Sequence, residues 1–114
     1  MTAKEFVACW RQEMDDLVEA YMAGAISSSN SLEVAQQIVS LQLNPDQMGI
    51  MKKIIEGIIT DAYYTVLLGL DGCASIGGIQ QTYRIYDETD TLISECGDLE
   101  GEAWEQFHGH SERN

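Results

Sequence analysis

The sequence predicts a small α+β domain, built from three N-terminal helices, a β-hairpin and a short C-terminal helix. Three observations carry that expectation. Apolar residues recur at helical spacing from Phe6 to Leu68, the period drops from 3.6 to 2 over IQQTYRIYDETDTLISEC, and four glycines in LLGLDGCASIGG (67–78) mark the change. At 114 residues the chain, 1–114, is expected to form a single domain with one core and no separate catalytic or regulatory domain.

Thr2 followed by Glu5 fits the S/T-x-x-E capping box, and Phe6, Trp10, Met14, Leu17, Val18 and Tyr21 then form the apolar face of a first helix. That helix is expected to end near Gly24. The polar run GAISSSNS offers Ser29 or Ser31 as cap to a second, shorter helix through Leu32, Ala35, Ile38, Val39 and Leu41. Asn44-Pro45 opens the central helix, about residues 45–68, with Asn44 as N-cap, Pro45 in the first helical position and Asp46 at the positive end of the dipole. Its apolar residues, Met48, Met51, Ile54, Ile55, Ile58, Ile59, Ala62, Tyr63, Val66 and Leu67, cover more than half the circumference. Only Gly49, Lys53, Glu56, Gly57, Thr60 and Tyr64 are left to face outward.

The hairpin is expected over about 79–96. Ile79, Tyr83 and Ile85 alternate with Gln80, Thr82 and Arg84, and Leu92, Ser94 and Cys96 alternate with Thr91, Ile93 and Glu95, on either side of the turn DETD. Gly97-Asp98 closes it and caps the last helix, about 98–108, with Leu99, Ala103, Trp104 and Phe107 facing inward and Glu100, Glu102 and Glu105 outward.

Composition narrows the function. The chain is 45% hydrophobic with a single proline, which suits a folded domain rather than an acidic disordered tail. Nineteen acids against six bases give a net charge of −13, a field that repels nucleic acid and anionic lipid, so direct binding to either is not expected. Three cysteines at unrelated spacings, Cys9, Cys73 and Cys96, suit reduced thiols, and the N-terminus lacks a signal-peptide pattern. Glu56, Asp61 and Asp71 interrupt the most apolar region, so no membrane span is expected. The expected location is the cytoplasm.

The glycine-rich loop is a weak candidate site. Gly72-x-x-x-x-Gly77 has P-loop spacing, but Gly78 and Ile79 stand where lysine and Ser/Thr belong, and the loop leaves a helix for a strand rather than the reverse. Its glycines read instead as a helix C-cap at Gly69 or Gly72 and a close backbone approach at Gly77-Gly78. Cys73 or Ser75 as a nucleophile would need His108 or His110, which lie in the terminal HGHSERN, and Cys73 reads as a packed thiol. Cys96, His108 and His110 lack zinc-site spacing, and DETDTLISECGD lacks the glycine and final glutamate of an EF-hand loop. No catalytic residue, metal or cofactor is expected.

The acidic block carries more. Asp87, Glu88, Asp90, Glu95, Asp98, Glu100, Glu102 and Glu105 occupy a span with no lysine or arginine, whereas ordinary surfaces intersperse both signs. Tyr83, Tyr86, Trp104 and Phe107 lie among or beside them, and aromatic anchors within a charged rim suit a protein interface. These features predict a non-enzymatic binding protein whose partner is basic. The block from Tyr63 to Gly109 resembles the compact acidic immunity proteins of bacterial polymorphic toxin and contact-dependent inhibition systems.

That resemblance implies a cytosolic chain that blocks a cognate toxin domain, often a nuclease, by covering its substrate groove. Asp87, Glu88, Asp90, Glu100, Glu102 and Glu105 would steer the encounter, with Tyr86 and Trp104 as anchors. Two other readings stand beside it. One is a phage-encoded acidic inhibitor that imitates nucleic-acid charge, and the other a small ligand-binding or enzymatic domain using the Gly69–Gly78 loop. The apolar breadth of the central helix leaves monomer and homodimer both open.

Overall fold

The computed structural model describes residues 1–23 and 33–109. Its elements are α1 (Ala3–Ala23), α2 (Glu33–Ser40), α3 (Pro45–Leu70), β1 (Ile85–Tyr86), β2 (Leu92–Ser94) and α4 (Glu100–Phe107). The order is the small α+β plan expected from the sequence. The expected helix end at Gly24, the caps at Ser29 and Ser31, the start of the second helix at Leu32 and the tail histidine His110 lie outside the described residues.

The chain divides into two compact units, Glu13–Ile59 on one hand and Met1–Gln12 with Thr60–Asn114 on the other. In the first, Met14, Val18, Ala35, Ile38, Ile55 and Ile59 are buried. In the second, Val7, Leu67, Leu99, Ala103 and Phe107 are buried with two polar residues, Asp71 and Ser94. A ladder of edge-to-face rings runs Phe6–Trp10–Tyr63–Phe107, with centroids 6.3, 5.0 and 6.4 Å apart. Arg11 Nη1 donates to the Gln106 carbonyl at 2.9 Å, tying the first turns of α1 to the end of α4.

Local chemistry starts the helices as read. The Thr2 hydroxyl accepts from the Glu5 N–H at 3.1 Å and Glu5 Oε1 accepts from the Thr2 N–H at 2.9 Å, a complete capping box. At α3 the Asn44 side chain accepts from the Gln47 N–H at 2.9 Å, and Gln47 reciprocates at 3.0 Å. The far end of α3 is a Schellman motif. The Cys73 N–H reaches back to the Leu68 carbonyl (3.0 Å) and the Gly72 N–H to that of Gly69 (3.2 Å), with Gly72 at φ +82°. Gly72 is therefore the left-handed position, and Gly69 lies inside the helix.

Three expectations about faces are corrected. On α3, Ile54, Ile58 and Val66 are exposed at 50, 61 and 39%, as is Ala62, so the covered face is much narrower than the apolar one. Trp104 is exposed rather than inward, whereas Phe107 is buried and cannot serve as a surface anchor. Leu92 also points outward.

The hairpin is shorter than the alternating pattern. Residues 79–84 form no strand; Ile79 instead exchanges two 3.0 Å backbone bonds with Ile76 around Gly77 and Gly78, both at positive φ. A Cβ on either glycine would meet open space, so the left-handed turn and not a close approach requires them. The close approach is at Gly69, where a Cβ would run into the Ile76 side chain. β1 and β2 pair antiparallel, Ile85 with Ser94 and Tyr86 with Leu92, across an irregular step.

Candidate functional site

The surface formed by the hairpin and α4 is organised around one buried carboxylate. Asp71 is the residue at which α3 ends, and its side chain reaches the start of α4. Its Oδ1 accepts the N–H groups of Gly97 (2.9 Å) and Leu99 (2.8 Å), and its Oδ2 that of Glu100 (3.0 Å). Leu99 and Glu100 are donors at the opening of a helix, which have no partner within it, and Gly97 belongs to the turn before it. The cap expected from Asp98 is therefore supplied by Asp71; Asp98 instead accepts the Glu95 N–H at 3.0 Å within the preceding turn. Leu99, at the N-cap position, contributes no side-chain bond.

Cys73 completes this junction and is exposed, not packed. Its thiol donates to Glu100 Oε2 at 3.1 Å and to Asp71 Oδ2 at 3.3 Å. The bond to Glu100 is the main cause, with desolvation and Asp71 adding to it, of a thiol pKa pushed up to about 12. A nucleophilic cysteine needs the opposite shift. Asp71, Cys73 and Glu100 each bring one potential ligand atom within 4.8 Å of the others. They form a set joined internally by the thiol proton and occupied by three backbone donors.

The predicted interface residues fall into two groups. Tyr86 is 53% exposed and Trp104 55%, while Glu88, Asp90, Glu95, Asp98, Glu100 and Glu105 are exposed and Asp87 and Glu102 half-buried. Several of these acids also hold local structure. Asp87 Oδ1 accepts from the Thr89 N–H (2.9 Å), the Thr89 hydroxyl (2.7 Å) and the Thr91 N–H (3.0 Å), which hold its carboxyl below the ordinary range. Asp90 closes this loop at φ +63°. Glu95 lies 3.9 Å from Arg84, an exposed pair of small energetic weight.

Beside Glu100 lies an aromatic cluster. Tyr64 of α3 meets Trp104 edge-on at 6.3 Å and His108 at 4.6 Å, and Trp104 lies 4.8 Å from His108 at a tilt of 33°. Burial first, then the negative charge of Glu100, raises the Tyr64 pKa. A polar groove of about 210 Å³ lies apart from this cluster, between Thr82, Tyr83, Arg84, Glu95, Cys96 and Asp98. The described residues contain no helix long and apolar enough to cross a membrane.

Asp71 and Tyr64 were not among the residues expected at this surface. The signal for Asp71 was its position, an ionisable residue directly after an apolar helix and before a glycine; Tyr64 carried none beyond facing outward. No family model, curated protein or solved structure matches the chain.

Proposed function

We propose that this chain is a binding protein that neutralises a basic protein partner through the face made by its hairpin and α4, in the manner of an immunity protein covering the active site of a cognate toxin domain. The observation that carries this reading is the exposure of Tyr86 at the edge of, and Trp104 within, a 19-residue span, Asp87–Glu105, that holds eight acids and no base. Acids of one sign raise the rate of encounter with a basic surface, to the order of 10⁸ M⁻¹s⁻¹ at low salt. Half-exposed aromatics supply the apolar contact that slows dissociation. The scaffold beneath is fixed, since Asp71 anchors both the hairpin return and the first turn of α4.

The test is affinity capture from the native host at low salt, eluted at high salt and identified by mass spectrometry. It is repeated with Glu88→Lys, Glu102→Lys and Glu105→Lys combined. The reading expects a basic protein that is retained by the natural chain, released by salt, lost to the charge-reversed variant and inhibited by the natural chain when both are purified. Equal retention by the variant, with its circular dichroism unchanged, would sink it.

A further inference from the structure

We propose that Trp104, Tyr64 and His108, together with the Glu100 carboxylate, form a receiving site for a single arginine side chain of the partner. The inference rests on the reading above and names what that surface takes hold of. Glu100 and Trp104, four residues apart, lie on one face of α4, and His108, four residues further, is its C-cap. The backbone positions of Glu100 and Trp104 are then about 6 Å apart along the helix axis. Tyr64 stands edge-on to both rings from the neighbouring helix, which leaves the cluster as a platform rather than a closed stack. The indole, the largest face of the set, is 55% exposed.

Two features select a cation as the occupant. The cluster sits in a chain of net charge −13 with no base between Asp87 and Glu105, so a neutral ring or an acid gains nothing there from the field. One carboxylate terminates the platform in a set position. Cys73 donates to Glu100 Oε2, whereas Oε1 receives no hydrogen bond among the described residues. A cation over the indole face is attracted by the ring quadrupole. Arginine fits better than lysine because its planar guanidinium stacks on the ring while its edge N–H groups reach a carboxylate; the compact ammonium of lysine does one or the other.

The test is an NMR titration of the full ¹⁵N-labelled chain at low ionic strength with N-acetyl-arginine methylamide, and in parallel with its lysine counterpart. The expected result is saturable movement of the Trp104 indole N–H and the Glu100 amide with arginine, at least about threefold weaker binding of lysine, and no movement of the Trp10 indole. Glu100→Gln, which keeps the shape of the side chain, should weaken arginine several-fold, with the Trp10 signal and amide dispersion reporting an intact fold. Absence of movement at Trp104, equal binding of the two probes, or unchanged affinity in Glu100→Gln overturns the assignment. The charge reversal at Glu88, Glu102 and Glu105 spares all four residues. Arginine binding without capture of a basic protein therefore rejects the wider reading alone, and capture undiminished by Trp104→Ala rejects this one alone.

Discussion

Asp71 Oδ1 lies 2.8 Å from the backbone N of Leu99, a bond between the residue that follows one helix and the threshold of another, 28 residues later. Both groups are buried, and the same carboxylate serves Gly97 and Glu100. Removing it strands the Leu99 and Glu100 donors at once, while the Gly97 N–H keeps the Asp71 carbonyl. Asp71→Ala is expected to cost about 3 kcal/mol, the sum of a lost helix cap and one buried donor, the Leu99 N–H, left unpaired. Asp71→Asn keeps one acceptor oxygen and should fall between the two. Urea denaturation followed by circular dichroism measures both, and a loss below about 1 kcal/mol for the alanine variant would contradict the assignment.

Cys73 should be the slowest of the three exposed thiols to alkylate. At pH 8, a thiol whose pKa is pushed up to about 12 is almost wholly protonated, while the thiolate is the reacting form. Iodoacetamide labelling read by mass spectrometry should modify Cys9 and Cys96 first. Glu100→Ala removes the principal cause and should accelerate labelling of Cys73, by about tenfold for each unit the pKa falls. Because the folded value lies above the unfolded one, the contribution to stability is complete below the unfolded pKa and disappears as pH rises toward 12.

The Asp87 turn should show the reverse dependence. Its carboxyl is held below 3.8 by Thr89 and Thr91, so the stabilisation it gives is present above that value and lost as pH falls through the lower folded one. The Thr89 and Thr91 amide resonances should therefore titrate together, with a midpoint below 3.8. A midpoint at or above that value would mean the three hydrogen bonds do not persist in solution.

Two adjacent isoleucines on α3 separate burial from hydrophobicity. Ile54 is 50% exposed and Ile55 8%. Ile54→Ala should change stability by no more than about 0.5 kcal/mol, while Ile55→Ala should cost about 2–4 kcal/mol. Thermal melts of the two variants make the comparison, and equal losses would show that this face of α3 is covered.

Gly72→Ala should destabilise by about 1–2 kcal/mol, since the residue sits at φ +82°. A Cβ there would also lie 2.9 Å from Thr82 Cγ2. Adding Thr82→Ser removes that methyl and should recover only the steric part. Full recovery would show that the left-handed backbone carries no cost.

What could be read from the sequence was what local chemistry decides. The Thr2–Glu5 and Asn44–Pro45 starts involve residues within one turn of each other, so spacing alone identifies them. The DETD turn was legible for the same reason. The start of α4 was not: Asp98 is the nearest suitable side chain, yet the donors are taken by Asp71, whose distance along the chain no local pattern records. Periodicity likewise marks Ile54, Ile58 and Trp104 as apolar without saying whether anything covers them. The strand pattern beginning at Ile79 gave way to the turn that Gly77-Gly78 makes with its neighbours. Of the candidate surface, the acids and two aromatics could be named in advance. Their support, which joins α3 to α4 through a side chain, could not.

The chain leaves Asp71 through Gly72 and returns to it at Gly97, whose N–H is shared between the backbone carbonyl and the carboxylate of that same residue. Everything between is an excursion that begins and ends at one point, so the length of its exposed turn is only loosely tied to the helices on either side. Doubling such a loop costs only about 0.6 kcal/mol in closure entropy. The hairpin is in that sense a cartridge: its exposed Asp87–Asp90 turn can be lengthened or replaced while one aspartate keeps both ends of the segment in place.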